Sequence, residues 1–351
     1  MSWSQRSPVV LGGLLAMAML AVACTADRPW DSADPTATST RRTALTTAAS
    51  SSGNTRSTIA NPATTTAPSL DATFDAMAAR TTMTAEARSL LALASPALVD
   101  RETLGSTCTL DPELSVLGCY RSGRIAVLSV TDPRLDGTTE ATTAHEMLHA
   151  AWASLNQAER EQVSQMLQTT FQRVATAELT ARIDAYRNDD PTVVDNELHS
   201  IIGTEVADVG PGLEAYYRRW FDDRAAVVAV AVASRATLTS LEAQVNDLDA
   251  RLDKLRSRIK SEETTLEHER AALEARSAAL DALQAAGQID DYNAGVGPFN
   301  EALNLFNESV AAHQGVVEEY NTLVTKRNGL AAAYTDLVAQ LTTTAESLPA
   351  P

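Results

Sequence analysis

The sequence is poor in basic residues and in aromatic residues. Its 28 Lys and Arg are outnumbered by 45 Asp and Glu, which gives a formal net charge of -17. This shortage argues against nucleic acid as a partner and against a basic patch that binds anionic lipid, because both interactions need clustered positive charge. Aromatic residues form 5% of the 351 residues, a low share that is typical of a chain with much linker and surface helix.

The N-terminal hydrophobic run, residues 8–23, is too short for a comfortable membrane span and is typical of a signal-peptide core. It ends in Leu20-Ala21-Val22-Ala23-Cys24, and small residues before a cysteine resemble the lipobox of bacterial lipoproteins. Ala21 departs from the commonest pattern, which has a larger aliphatic residue there. The resemblance implies lipid on Cys24 and a location on the outer face of the bacterial plasma membrane. A secretory signal with an incidental cysteine is the alternative.

Cysteine is also scarce, with three in the whole chain. If Cys24 carries lipid, Cys108 and Cys119 remain as a pair outside the cytoplasm, where disulfides persist. The sequence therefore predicts a disulfide that closes a short loop. Two free buried thiols are the alternative.

Composition divides the chain into segments. Residues 1–23 form the predicted signal peptide. Residues 24–69 are mainly Thr, Ser, Ala and Pro, cannot bury a core, and are predicted to form a disordered tether. A folded domain is predicted over residues 70–224 and a helical segment over residues 225–346, with a short tail at 347–351.

The central motif of the folded domain is His145-Glu146-x-x-His149. Residues four apart share a face of a helix, so the two imidazoles can bind one metal ion. The carboxylate of Glu146 can then reach a water on that ion and act as a general base. Apolar residues recur here at helical spacing without Pro or Gly, which predicts a helix from about Thr138. A chance occurrence of the motif is the alternative.

A catalytic zinc usually has a third protein ligand. The compact metzincin pattern would need Gly at position 152 and His at position 155, and the chain has Trp152 and Leu155 there. The metzincin class is therefore excluded, and an acidic residue from a later helix is predicted instead. Glu197 is the first candidate and Glu205 is the alternative.

The segment around Glu197 resembles the glutamate helix of gluzincins, the thermolysin-like clan of metallopeptidases. Asn196 and Glu197 match the Asn-Glu-x-x-Ser-Asp pattern of that clan, whereas Ser200 falls one position early and Ile201 and Ile202 replace the Ser-Asp pair. The resemblance implies Zn²⁺ on His145, His149 and Glu197. The missing Asp leaves the hydrogen-bond partners of the two histidines unassigned, although metal-binding histidines normally have such partners.

A wider resemblance covers about residues 80–225. Uncharacterised bacterial envelope proteins share the segment Gly118-Cys119-Tyr120, the segment at 132–137, the sequence His-Glu-Met-Leu-His-Ala-Ala, and the segment at 197–205. The resemblance strengthens the identification as a metallopeptidase and supplies no substrate.

Secondary-structure patterns predict a mostly helical α+β domain of zincin type. β-branched residues over 124–130 predict a strand, and helical patterns cover 70–80, 84–94, 157–187 and 194–206. A strand that leads into the metal-binding helix is the order seen in zincins, where the strand edges the cleft and can pair with an extended substrate.

The C-terminal segment has a heptad pattern in two arms of about equal length, separated by a predicted loop at 287–298 that contains Gly and Pro. The arms are predicted to fold back as an antiparallel coiled-coil hairpin of about 70 Å. His313 lies in this seam and is interpreted as a tolerated polar residue.

These patterns together predict a membrane-anchored zinc metallopeptidase outside the cytoplasm that cleaves protein or peptide substrates. His199, Tyr216 or Tyr217 could stabilise the oxyanion, and a structural role is the alternative for each. The competing hypothesis is an envelope scaffold whose coiled-coil hairpin binds a protein partner and whose metal only stabilises the fold. A cell-wall amidase is a further enzymatic variant, although no residue pattern suggests glycan binding.

Overall fold

The structure is a computed structural model that describes residues 69–108 and 115–342. The predicted signal peptide, the tether from Cys24 to residue 68 and the short C-terminal tail all lie outside these described residues. The chain divides into two compact units, the first ending at Ser234 and including Leu341, and the second covering Arg235–Gln340. This division lies ten residues after the boundary predicted at 224/225.

The first unit is mainly helical and contains one small sheet. Nine α-helices among the described residues belong wholly or partly to this unit. Eight of them have between 7 and 18 residues, and the ninth, α9, is much longer and continues into the second unit. The helices are α1 Ala72–Arg80, α2 Ala85–Leu93, α3 Arg101–Thr107, α4 Thr138–Ser154, α5 Gln157–Val174, α6 Ala177–Asp189, α7 Val194–Glu205, α8 Gly210–Tyr217 and α9 Arg224–Ala285.

The sheet has three short strands in the order β1-β3-β2, namely β1 Ala97–Val99, β3 Arg124–Leu128 and β2 Gly118–Arg121. β1 runs parallel to β3, and β2 pairs with β3 in an antiparallel hairpin. The predicted strand at 124–130 is confirmed as β3, which is largely buried. β2 is an edge strand of the sheet.

Helix α4 is the central element of the first unit. Twelve of its 17 residues are buried, which is far more than one face and shows that it is surrounded by other elements. It packs against α1, α2, α7 and the strands β2 and β3. Gly137 precedes it with φ of 91°, a left-handed conformation that glycine adopts without strain. The predicted start near Thr138 is confirmed.

The C-terminal end of α7 is fixed by the first residue of α9. The guanidinium of Arg224 is buried and donates hydrogen bonds of 2.6 Å to the carbonyl oxygens of Val206 and Ala207. These carbonyls follow the last turn of α7, where backbone acceptors lack intrahelical donors. The first turns of α9, with Val227 and Ala231 buried, therefore belong to the core of the first unit.

The second unit consists of the remainder of α9 and most of α10, Ile289–Leu341. Contacts join early residues of α9 to late residues of α10, so the two helices are antiparallel within this unit. Leu248 and Leu252 form a buried cluster with Leu323, and Asp249 accepts two hydrogen bonds from Arg327. Two long helices at the C-terminal end are thus present as predicted.

The predicted loop at 287–298 is wrong. The helices are separated only by residues 286–288, and α10 begins at Ile289 and continues through Pro298. Gly295 explains part of the difference, because a Cβ atom there would lie 2.6 Å from Cδ2 of Leu280. This glycine permits close packing against α9, so it is not a chain-breaking residue here.

His313 is part of this packing. Its Nδ1 lies 3.1 Å from Oε2 of Glu262 on α9, and Arg258 donates to the same carboxylate at 2.7 Å. The side chain of His313 is 15% exposed. Its polar group is therefore accommodated by an acidic partner on the neighbouring helix.

Candidate metal centre

The facing sides of α4 and α7 bring three ligand groups together. His145 and His149 extend from α4, and Glu197 extends from the first turn of α7. Nε2 of His145 lies 3.9 Å from Oε2 of Glu197, and Nε2 of His149 lies 3.8 Å from Oε1. One ligand atom from each residue lies within 4.8 Å of the others. Tetrahedral coordination at 2.0–2.1 Å would place such atoms about 3.3 Å apart, so a small inward shift closes the site.

The environment of these groups fits a metal ion. His145, His149 and Glu197 are each at most 1% exposed, and Nε2 of both histidines and both oxygens of Glu197 have no hydrogen-bond partner among the described residues. Buried polar atoms are normally hydrogen-bonded, and a buried carboxylate normally has a cation beside it. A divalent cation would satisfy all of these atoms at once.

Burial also sets the charge state of each group. It raises the pKa of Glu197 well above its usual range, and the nearby Glu146 carboxylate raises that pKa further, whereas Arg182 opposes the rise. It lowers the pKa of His149 to about 4 and that of His145 well below its usual value. Both histidines are therefore neutral at neutral pH, which is the form that binds metal.

Asn196 orients one of the histidines. Its Oδ1 lies 3.0 Å from Nδ1 of His149, and both groups are buried. Since the amide oxygen only accepts, Nδ1 carries the proton and Nε2 presents its lone pair toward Glu197. Asn196 was noted in the sequence only as part of a family pattern. Its position next to Glu197 lets one turn of α7 supply both a ligand and an orienting partner.

Replacing Asn196 with Ala is expected to lower the affinity for metal about 10–100-fold, because loss of an outer hydrogen-bond partner has this effect on metal-bound histidines. Competition with a chromogenic chelator measures the change. Asn188→Ala, at an exposed position at the end of α6, is the matched control and should leave the affinity unchanged. Equal affinities for the wild type and Asn196→Ala would remove this residue from the site.

Glu146 is buried beside the ligands and faces the edge strand β2. A Cβ atom added to Gly118 would lie 2.9 Å from Oε1 of Glu146 and 2.8 Å from Cγ2 of Thr142. The backbone of β2 therefore packs directly on the Glu146 carboxylate, and only glycine leaves room for that approach. No sequence pattern had linked Gly118 to the site.

Glu205, the alternative third ligand, lies at the other end of α7 and has a different partner. Its carboxylate accepts hydrogen bonds of 2.9 Å and 3.2 Å from the guanidinium of Arg182 on α6. The group of converging ligand atoms contains Glu197 and does not contain Glu205. The structure therefore brings Glu197 to the histidines and places Glu205 in a buried ion pair.

The three predicted oxyanion donors form an aromatic cluster. Nε2 of His199 lies 2.9 Å from the hydroxyl of Tyr216, and the hydroxyl of Tyr217 donates to the backbone oxygen of His199 at 2.7 Å. Trp152 packs on the His199 ring at 5.3 Å between centroids. His199 and Tyr217 are fully buried, and their contacts fit the structural alternative. Tyr216 is only partly buried.

The predicted disulfide is present. Cys108, at the end of α3, is bonded to Cys119 in β2, with 5.9 Å between their Cα atoms. Both cysteines are buried. The bond attaches the edge strand that contacts Glu146 to the preceding helix.

Comparisons with protein-family models, with curated proteins and with solved structures gave no match.

Proposed function

We propose that the first unit is a zinc-dependent metallopeptidase of gluzincin type. The observation that supports this most directly is the convergence of His145, His149 and Glu197 with the Glu146 carboxylate buried beside them. Two neutral imidazoles and one carboxylate form a ligand set typical of catalytic zinc, and this set leaves a coordination position for a reacting group. A buried carboxylate beside such a site can act as a general base, which makes hydrolysis of an acyl group the chemistry that this arrangement supports.

A bound Zn²⁺ supplies a lowered pKa for a coordinated water and polarises the carbonyl of the scissile peptide. Glu146 accepts the proton released as water attacks the carbonyl carbon, and then passes it to the leaving nitrogen. Asn196 keeps His149 in the tautomer and orientation that bind the ion. Tyr216 is the remaining proposed donor to the oxyanion, because it is the one side chain of the three candidates that is partly exposed.

The substrate is proposed to be an extended peptide. β2 is an edge strand beside α4, and its Gly118 lies on Glu146. Edge strands bind extended peptides through backbone hydrogen bonds, and this placement would lead a paired peptide past the general base. The sequence predicted that role for β3, and in the described part of the chain β2 is the neighbour of β3 on the side opposite β1.

Zinc content and peptide cleavage by the purified protein test this proposal. The protein is expected to bind one Zn²⁺ and to cleave members of a random peptide library, and dialysis against a chelator should abolish cleavage until zinc is restored. Mass spectrometry of the library gives the cleavage sites without any assumption about sequence preference. The proposal would be contradicted if the zinc-loaded protein cleaved none of three substrate classes, namely peptides, folded proteins and unfolded proteins.

A second candidate is an envelope scaffold that binds a protein partner through its C-terminal helices. The observation favouring it is the second unit, about a hundred residues of two antiparallel helices joined by a buried leucine cluster, which we interpret as a coiled-coil hairpin. In this case the metal has only a structural role. The protein would then cleave no substrate, and removal of the metal by a chelator would unfold the first unit.

Deletion of the second unit separates the two candidates. The deletion should remove residues 235–340 and join Ser234 to Leu341 by a short flexible linker, because Val227 and Ala231 of α9 belong to the core of the first unit. A peptidase is expected to keep cleavage after this change, and the hairpin would then serve localisation or regulation. The proposed anchor is lipid on Cys24, so membrane fractionation of Cys24→Ala tests the location independently.

A further inference from the structure

Helix α10 contains a second heptad pattern beside the one that packs on α9. Uncharged amide side chains stand at every seventh position, namely Asn293, Asn300, Asn307, Gln314, Asn321 and Asn328. An apolar residue stands three positions after each amide, from Val296 to Ala331. Steps of three and four residues therefore alternate along the helix, which is the spacing of a coiled-coil seam. These two rows form the amide seam.

The amide seam lies to one side of the contact with α9. Val316, Leu323 and Leu337 of α10 are buried, and Leu323 packs on leucines of α9. These residues stand one position before apolar residues of the amide seam, and successive residues of a helix point about 100° apart. All six amides are exposed, and each apolar residue of the seam keeps part of its surface exposed, with Leu303 at 37%.

Helix formation alone does not account for this pattern. Asn is a poorer helix former than Lys, Glu or Gln, yet five of the six amides are Asn. The solvent face of a surface helix is usually rich in charge. Residues 293–317 contain only Glu301 and Glu308 as charged side chains, together with His313. A regular row of amides beside a regular apolar row therefore points to a partner helix.

A second copy of α10 fits the amide seam because both rows are self-complementary. A side-chain amide donates and accepts hydrogen bonds, so it can bond to the same amide of another copy. In a parallel pair each residue meets its own equivalent, which places amide on amide and apolar on apolar. An antiparallel pair would place amides against apolar residues and leave their polar groups unsatisfied. A seam without Lys or Arg is also poorly suited to an anionic membrane surface.

We propose that two copies of this protein associate through a parallel coiled coil formed by the amide seam of α10. Each copy contributes one helix to the interface and keeps its α9 on another side. Leu303 supplies an apolar layer, and Asn307 supplies an adjacent layer of paired amides that fixes the register. This association is separate from the proposed function, because it uses no residue of the metal centre.

Cysteine cross-linking tests the proposal in the full chain. Cys24→Ser leaves an introduced cysteine as the one free thiol, since Cys108 and Cys119 are bonded to each other. After oxidation with copper phenanthroline, Asn307→Cys and Asn321→Cys should each give a covalent dimer on gels without reductant. Ala312→Cys is the matched control, because it is exposed on the far side of α10 and should cross-link at least about tenfold less.

Both seam positions must cross-link for the proposal to stand. In a parallel pair every seam residue faces its own copy, whereas an antiparallel pair brings only one such position together. A dimer formed by Asn307→Cys and not by Asn321→Cys would therefore overturn the parallel arrangement. Equal yields at the two seam positions and at Ala312→Cys would indicate random collision and would also overturn it.

Sedimentation equilibrium of the solubilised full chain tests the association without added cysteine. Leu303→Lys should raise the dimer dissociation constant at least about tenfold, because it places two like charges opposite each other. Leu305→Lys is the matched control, since Leu305 is more exposed, at 59%, and points about 200° away from Leu303. It should leave the constant unchanged. Equal effects of the two substitutions would mean that association depends on general hydrophobicity and would refute the proposal.

Asn307→Glu provides a variant that leaves the packing of α9 on α10 intact, because Asn307 is exposed. It should weaken the dimer at least about tenfold through repulsion of equivalent carboxylates, with an unchanged circular dichroism spectrum. A wild-type chain that stays monomeric at about 100 µM would overturn the proposal and assign the amide seam to a different protein. None of these results depends on whether the protein cleaves peptides.

Discussion

Glu146→Gln is expected to lower the rate of peptide cleavage about 10²–10⁴-fold, which is the usual contribution of a general acid–base residue. The substitution keeps the size of the side chain and its contact with Gly118, and it removes the carboxylate that accepts the proton in the proposed mechanism. The amide is not a metal ligand in this arrangement, so zinc affinity should not fall. Zinc affinity is expected to rise slightly instead, because removal of the Glu146 charge lowers the pKa of the neighbouring Glu197 carboxylate.

The measurement is kcat on the best library peptide, together with zinc stoichiometry of the same preparation. Glu161→Gln, an exposed change on α5, is the matched control and should leave both quantities unchanged. Cleavage that survives Glu146→Gln at more than a tenth of the wild-type rate would exclude Glu146 as the general base. Loss of zinc in this variant would mean that Glu146 is itself a ligand.

The helical spacing of the motif was enough to predict half of the site. His145 and His149 had to share one face of an uninterrupted helix, and that prediction needed no knowledge of the rest of the chain. The choice between Glu197 and Glu205 could not be made in this way, because both lie on α7 and the sequence does not show what packs around each. The packing of Arg182 distinguishes the two residues, because this side chain comes from α6 and forms an ion pair with Glu205.

Short elements and tertiary contacts account for what the sequence did not show. β1 and β2 have three and four residues, too few for a periodic pattern, although β2 supplies the backbone that covers Glu146. The glycines of segment 287–298 predicted a loop because glycine usually destabilises helices. The close packing of Gly295 on Leu280 overrides that tendency. In both places the deciding contact joins residues that are distant in sequence.

Substitution of Glu197, the proposed third ligand, gives the other large expected effect. It should destabilise the zinc-bound protein and stabilise the metal-free protein. Glu197→Gln should weaken zinc binding more than the about 10–100-fold that loss of an outer partner costs, because it removes a ligand charge. Without metal the same change should raise the melting temperature by a few degrees at neutral pH. The buried carboxylate has a raised pKa in the folded state, so its contribution to stability is present below the unfolded pKa near 4.3 and is lost as pH rises through the folded pKa.

Glu205→Gln is the matched control on the same helix. It removes one partner of a buried ion pair and leaves the Arg182 guanidinium uncompensated, which costs about 3–5 kcal/mol. Stability should therefore fall with and without zinc, while the ligand set stays intact. Melting curves at several pH values with and without zinc distinguish the two residues. If the metal-free protein is stabilised by Glu205→Gln and zinc binding is lost there, the ligand assignment is reversed, and the ion pair with Arg182 must open when metal binds.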